Sequence, residues 1–599
     1  MCGLAGSFRT DDRPQALPVA ALREMGRRLE HRGPDGEGVF RDDRIALVHR
    51  RLVVVDRSDA GAQPMATPDG SAVIAYNGEL YNDAELRDEL EAEGVRFGSA
   101  CDTETVLWAL ARWGEAALAR FRGMYALAFY EPERNRLLLA RDALGIKPLY
   151  VAGLSGEVVF ASEPHAVLAH PAVSAAPDEV AVSAYLSAVR VTIGSRTLFE
   201  GIESLGPGES RVYEAGRAFV RGHVPAVRPV GASQDEQRST RAVVTDSILR
   251  HLRSDVPLCA LLSGGLDSSI VTSVAHGMLG RLKTFCSGDA AGGPDFEHAS
   301  IVAEHVGSEH TAVPVSRGLF AERWRWLVGE SRLPLCTPNE VAIYEVARAL
   351  RDAGQVVTLS GEGADELFGG YVAPIESAAR HIAAGNHDAG AYQYDAHAWV
   401  PRAVKDGMLE PGLWRRVDRD SEAVGWYRRE WEGAAAEPGA GDALEAHLRL
   451  HRRVNLTRLL RRLDSATMRA SVEGRTPLAD VEVASHAGSI RVSEKCSFEA
   501  CPSGASGGGG GVVGTKLPLR SAFSGDLPAA VVGRAKQSFP LPFEAWVGDA
   551  AGLIRGSLYL RSVFRDEAIE LVAADPPAAW SAAWPMANLA LWAEANGFG

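Results

Sequence analysis

Over the first 215 positions the apolar residues come in short runs divided by turn residues. ALVHRRLVVVD (46–56), AVIAYNG (72–78), MYALAFY (124–130), NRLLLARD (135–142) and EVVFASE (157–163) each contain a strand-length apolar segment. Two helical stretches interrupt them, near 16–30 and 83–119, the second broken around 94–100. Sheets with helices packed against them, an α+β unit, are predicted for residues 1–215.

Residues 216–238 are polar and irregular, with two prolines, and read as a linker. A helix follows over 238–252. From about 256 the pattern changes. The run VPLCALLSGG (256–265) ends in glycines and opens the helix-like SSIVTSVAHGML. KTFCS (283–287) and VVTLSGEG (356–363) read as further strands with helices between them. That alternation predicts an α/β unit over 239–599 built on a doubly wound parallel sheet. The tract SGASGGGGGVVGT (503–515) cannot build a core; it reads as a flexible surface loop, with a lid over the second site as the sharper alternative.

A chain of 599 residues calls for two or three domains. Its net charge of −14 argues against a nucleic-acid partner, which would demand a basic face. The seven cysteines are odd in number and scattered, so no disulfide framework is expected. Cys496 and Cys501 form a lone C-x4-C without a second pair or a histidine cluster, and read as free thiols rather than a zinc site. The N-terminus MCGLAGSFRT is no signal peptide, and no apolar run approaches the ~20 residues of a membrane span. A cytoplasmic protein without membrane contact is the expectation.

Cys2 follows the initiator methionine. Removal of Met1 would leave a thiol and a free α-amine on one residue, nucleophile and base together. The segments after it decide whether that matters. MCGLAGSF, HRGPDGEG (31–38), HRRLVVVD (49–56), YNGELYN (76–82), the acid of CDTETVL, RDALGIKPLY (141–150) and FASE (160–163) resemble, in order, the glutaminase domain of class II glutamine amidotransferases, as found in glutamine-hydrolysing asparagine synthetases. The resemblance implies an N-terminal-nucleophile sandwich. It further implies Cys2 as nucleophile, and Arg51 as bidentate partner of the glutamine α-carboxylate. Asn77 and the Gly78 amide become the oxyanion hole, Asp102 the partner of the substrate ammonium, and Glu79 a lining residue of the glutamine pocket.

SGGLDSS (263–269) ends an apolar run and opens a helix, a place where backbone amides can meet phosphate. It lacks the lysine of a P-loop and resembles the pyrophosphate loop of ATP pyrophosphatases. Leu262, Ser263, Gly264, Gly265, Asp267, Ser268, Ser287, Ser360 and Gly361 are the expected ATP-binding residues. SGEGADELFGGY (360–371) resembles the second synthetase motif. Asp267 and Asp365 are the expected Mg²⁺ ligands, and Glu362 the base for incoming ammonia. MRASVEGRTPLAD (468–480), KLPLR (516–520) and RAKQSF (534–539) extend the resemblance over nearly the whole chain.

Three places depart from the pattern. Ser465 stands where the family usually carries a cation facing pyrophosphate, with Arg461, Arg462 and Arg469 as candidate substitutes. The P-F-L-D element reads Pro477-Leu478-Ala479-Asp480. The stretch 496–515 replaces the usual filler. The reading is a glutamine-dependent, ATP-consuming amide synthetase, first an asparagine synthetase acting on aspartate. Open beside it are a tailoring amidotransferase acting on a different small carboxylate in natural-product biosynthesis, and a glutaminase with an inactive synthetase half. A tunnel for ammonia between the two domains is implied, and a homodimer is left open.

Overall fold

The computed structural model describes all residues except 1, 215–216, 218, 225–237, 387–388, 438–442, 499–511, 537–540 and 599. The N-terminal part stacks two antiparallel sheets. One runs, edge to edge, Thr192–Ile193, Arg196–Thr197, Ile202–Ser204, Tyr150–Leu154, Glu157–Ala161, Cys2–Arg9, Ile45–Arg51 and Gly36–Arg41. The other runs Val220–His223, Glu209–Glu214, Arg136–Arg141, Gly123–Glu131, Val73–Leu80 and Met65–Ala66.

Both faces of the central strands are covered, which is why they read as continuous apolar runs rather than alternating ones. Val73 and Ala75 face the core between the sheets, with Leu4, Phe8, Leu47, Ala126, Ala128 and Leu139. Their neighbours Ile74 and Tyr76 face outward. There Leu86 and Leu90 of helix Asp83–Ala92 and Val106 and Leu110 of helix Asp102–Trp113 cover them. Helix Val19–Arg27 covers the outer face of the first sheet through Leu22 and Met25, against Ala46 and Val48. The layers are thus helix, sheet, sheet, helix. One expectation fails: the segment read as linker supplies a strand, Val220–His223, paired to Glu209–Glu214. Most of the remaining linker, like most of the glycine-rich tract and Cys501, lies outside the described residues.

The C-terminal part holds a five-stranded, fully parallel sheet in the order Glu309–Val315, Lys283–Asp289, Leu258–Leu261, Val357–Leu359, Glu473–Arg475. The helix expected at 238–252 spans Thr240–Arg250, its start capped by Ser239, whose Oγ accepts from the Ala242 amide at 3.2 Å. In chain order the strands lie 3-2-1-4-5, so the order reverses between Leu258–Leu261 and Val357–Leu359. Loops at the carboxyl ends of those two strands flank the crevice where open α/β sheets bind ligands. The loops are SGGLDSS and SGEGADE. No helix among the described residues is long and apolar enough to cross a membrane.

Candidate active site

Cys2 begins the first strand, opposite Arg51 in the antiparallel register. Its backbone nitrogen, which would become the α-amine once Met1 is gone, donates to Asn77 Oδ1 at 3.0 Å. Met1 itself is outside the described residues. That bond uses the oxygen of Asn77 and leaves Nδ2 buried without a partner. An orphaned buried donor is costly, and an oxyanion would relieve it. Gly78 follows within the same strand, so Asn77 and Gly78 form no hairpin turn. Burial pushes the Cys2 thiol up, so it rests protonated and needs a base.

Asp102 starts helix Asp102–Trp113 and accepts from the Leu80 amide at 2.8 Å. Burial, with the Asp83 charge adding to it, raises Asp102 to about 6. The Arg51 guanidinium donates to the carbonyls of Ser58 at 2.9 Å and Asp56 at 2.5 Å. It has no carboxylate partner among the described residues, so its charge is left for an anion. Glu79 is turned across the domain boundary, 3.5 Å from Arg475 Nη2, while Arg475 Nε donates to Glu473 at 2.6 Å.

A second set of buried charges joins the domains beside it. Asp464 accepts from Arg32 at 3.0 Å and from Lys147 at 3.1 Å. Glu163 accepts from Arg32 and from Arg469, each at 2.9 Å. Arg32, Lys147, Glu163 and Arg469 sit in segments quoted above for the resemblance, but nothing local showed that they pair, and the bonded Arg32 and Asp464 lie 432 positions apart.

The nucleotide end is built at the strand-order switch. Gly361 has no room for a side chain: a Cβ there would meet the Ser268 amide at 2.7 Å. Glycine thus lets the two loops touch. Gly264 adopts φ +67° with the His298 backbone 2.4 Å from an ideal Cβ, again a glycine-only position. A cavity of about 490 Å³ opens here, and Ser263, Gly265, Asp267, Ser268, Ser360, Gly361, Glu362 and Asp365 all line it. Three expected residues do not. Leu262 packs into the core, Ser287 lies buried on its strand, and Gly264 is covered by His298. Leu261 takes the wall position instead.

Asp267 and Asp365 converge on one ammonium, Lys516 Nζ, at 2.6 and 2.5 Å, and Lys536 lies 2.7 Å from Asp365. Burial works against the Asp365 carboxylate, but the two lysines outweigh it and bring it down to about 2. Asp267 Oδ1 stays buried without a hydrogen bond. Two carboxylates gathered around a cation, one with an oxygen to spare, are a donor set that fits Mg²⁺. Lys516 and Lys536 belong to segments that resembled the family without an assigned role. Glu362 accepts from Arg462 Nη2 at 2.5 Å, at the cavity wall.

The concern over Ser465 is corrected by its position. It faces two small cavities near Arg461, Ser331 and Leu333, not the nucleotide cavity. Arg461 donates to the Tyr150 hydroxyl and Arg469 to Glu163, so only Arg462 of the three candidates reaches the nucleotide cavity. Two lysines from a different part of the chain, Lys516 and Lys536, do line that cavity. The altered Leu478-Ala479 pair is core, with Ala479 packed beneath Gly363 of the second loop.

Comparison with known proteins places these observations. Residues 1–222 match the family pattern of a glutamine amidotransferase domain, and residues 239–594 match that of asparagine synthase. Glutamine-hydrolyzing asparagine synthetase 3 of Bacillus subtilis (strain 168) is 28% identical over 569 residues, covering 90% of this chain and 87% of that protein. Glutamine-hydrolyzing asparagine synthetase 1 of the same organism is 35% identical over 376 residues, 62% of this chain and 59% of the relative. Glutamine-hydrolyzing asparagine synthetase B of Escherichia coli (strain K12) is 33% identical over 389 residues, 62% of this chain and 65% of the relative. The match therefore spans less than two thirds of the length of the last two.

Proposed function

Because the chain belongs to the asparagine synthase family, we propose that it is a glutamine-dependent, ATP-consuming amide synthetase, a carbon–nitrogen ligase. The observation that carries the reading is the meeting of SGGLDSS and SGEGADE at the strand-order switch, with Asp267, Asp365 and Glu362 on one cavity wall. In the N-terminal half, the Cys2 sulfur attacks the side-chain carboxamide of glutamine. Asn77 Nδ2 and the Gly78 amide stabilise the oxyanion, ammonia leaves, and water releases glutamate from the thioester. Arg51 and Asp102 hold the α-carboxylate and α-ammonium of the substrate.

In the C-terminal half, the acceptor carboxylate displaces pyrophosphate from ATP. Ammonia then attacks the activated carbonyl, and AMP departs. Glu362, held by Arg462, accepts the proton that ammonia loses. Asp267 and Asp365 would hold Mg²⁺, which would shield the phosphate charges; Lys516 and Lys536 supply cations beside them.

Aspartate is the acceptor that the names of the relatives suggest, with asparagine as product. A second reading, amidation of a different carboxylate, draws support from the far wall of the cavity, described below. The test is ATP-dependent pyrophosphate release with glutamine, Mg²⁺ and acceptor. Wild type should couple glutamate and pyrophosphate formation, and Cys2→Ala should need added ammonia. Glutamate formation without pyrophosphate for any acid, ammonia supplied, would leave only a glutaminase.

A further inference from the structure

The cavity does not stop at the nucleotide. It runs on along three consecutive helical segments, the end of helix Ala443–His451, the π-helical turn Arg452–Leu456 and helix Thr457–Met468. Arg462, Arg458, Asn455 and His451 all line it. They are spaced four, three and four residues apart, so they form a row. Arg462 marks the reacting end, since it holds Glu362. The π turn widens the helix in the middle of this wall, a distortion that recurs at functional sites.

The far end of the row is rich in donors that nothing uses. Arg190, only 7% exposed, gives one Nη to the Val454 carbonyl and leaves Nε buried and unpartnered. Arg458 gives Nη1 to the Ala188 carbonyl at 3.3 Å, and its Nε is likewise unpartnered. Among the described residues neither arginine has a carboxylate partner. His451, 5% exposed, bonds through Nδ1 to the Asn455 side-chain amide at 2.7 Å, so its Nε2 carries the hydrogen and is again unpartnered. Among the described residues the orphaned acceptors nearby are neutral ones, Gln393 Oε1 and one ring nitrogen of His447, which packs on His451 at 4.8 Å. Other charges at this end are already paired, Lys405 with Asp420 at 2.6 Å and Arg453 with Glu430 at 2.7 Å. Lys516 and Lys536, the cations of the nucleotide end, are bound to Asp267 and Asp365 and take no part here.

Buried N–H groups left unpaired, two of them on cations without a carboxylate partner (Arg190 has instead the face of the Trp426 ring, at 5.3 Å), are expensive unless a ligand supplies acceptors. We propose that Arg190, Arg458 and His451 bind a second anionic group of the acceptor, and that the acceptor is an elongated dicarboxylic acid. The inference rests on the second reading of the proposed function. Length follows from the helix: Arg458 lies four residues from Arg462, a rise of ~6 Å, and both side chains lean the same way. The carboxyl carbons of aspartate are joined by three bonds and span at most ~4 Å. Tyr394 and Tyr427 also line the cavity, Tyr427 beside Arg190 and Arg458.

The experiment is titration calorimetry on the full chain with suberate and 4-carboxyphenylacetate, each against its monoacid control, octanoate or phenylacetate. Pyrophosphate release is measured with the same acids and with aspartate, ammonia supplied. At least one diacid should bind about tenfold tighter than its control, the return from one charge-assisted contact. Arg458→Gln should bring that ratio close to one, and Arg458→Lys should keep most of it. Arg190→Gln gives a second reading should Arg458→Gln fold poorly. Equal affinity for diacid and monoacid in wild type, or a ratio that both glutamine variants retain, overturns the proposal. Pyrophosphate release with aspartate and no diacid binding also overturns it, while sparing the ligase reading. Selective diacid binding with no pyrophosphate from any acid does the reverse.

Discussion

Asp464→Asn tests how the two halves are held together. Asp464 is 3% exposed and receives Lys147 Nζ at 3.1 Å and Arg32 at 3.0 Å. Arg32 keeps Glu163 in the variant, but Lys147, 0% exposed, loses the carboxylate it pairs with. Breaking a buried pair by removing one partner costs about 3–5 kcal/mol. There is also a ceiling. The stranded lysine can shed its proton, and at pH 7 that costs about 4–5 kcal/mol from an ordinary lysine pKa. Burial already holds Lys147 below its usual range. The sign of the pH dependence follows. Once the lysine of the folded variant is neutral, the unfolded chain binds one proton more than the folded chain, so stability then rises with pH by up to about 1.4 kcal/mol per unit. The deficit relative to wild type should therefore shrink toward pH 9. Urea denaturation followed by tryptophan fluorescence, at pH 7 and pH 9, measures it. A loss under about 1 kcal/mol at pH 7, or a deficit that grows with pH, would refute the reasoning.

Two further outcomes concern the glutaminase half. Asn77→Ala removes an oxyanion donor and should cut glutamate formation about 10²–10³-fold, with ammonia-dependent pyrophosphate release intact; equal loss of both activities would mean a folding defect. Asp102 is raised to about 6 by burial and Asp83, and in the proposed role it would hold the glutamine ammonium only as a carboxylate. KM for glutamine should be flat above about pH 6 and climb roughly tenfold per unit below it; a KM unchanged down to pH 5 would remove Asp102 from that role.

The sequence by itself determined the elements whose signal is local. Apolar runs of strand length placed Ile45–Arg51 and Glu157–Ala161 of one N-terminal sheet and Val73–Leu80, Gly123–Glu131 and Arg136–Arg141 of the other, and the glycine-ended runs located both loops of the C-terminal site. Cys2, Asn77, Asp267, Glu362 and Asp365 stand where local motif and strand context put them. Only the tertiary structure decided the rest. Glu473–Arg475 is a strand of three fully buried residues, two of them charged, and polarity hid it, since its charges are neutralised by Glu79 and by each other. Ser465 looked like a missing cation because position in a motif does not say which side of a helix faces the ligand. Leu262 turns its side chain into the core while its neighbour Leu261 lines the cavity, one residue along a strand being enough to exchange one for the other. The interdomain charges, and the unpartnered arginines at the far wall, depend on which distant groups come within hydrogen-bonding reach. Pairing at that range is set by the packing of whole layers, and no local pattern of residues encodes it.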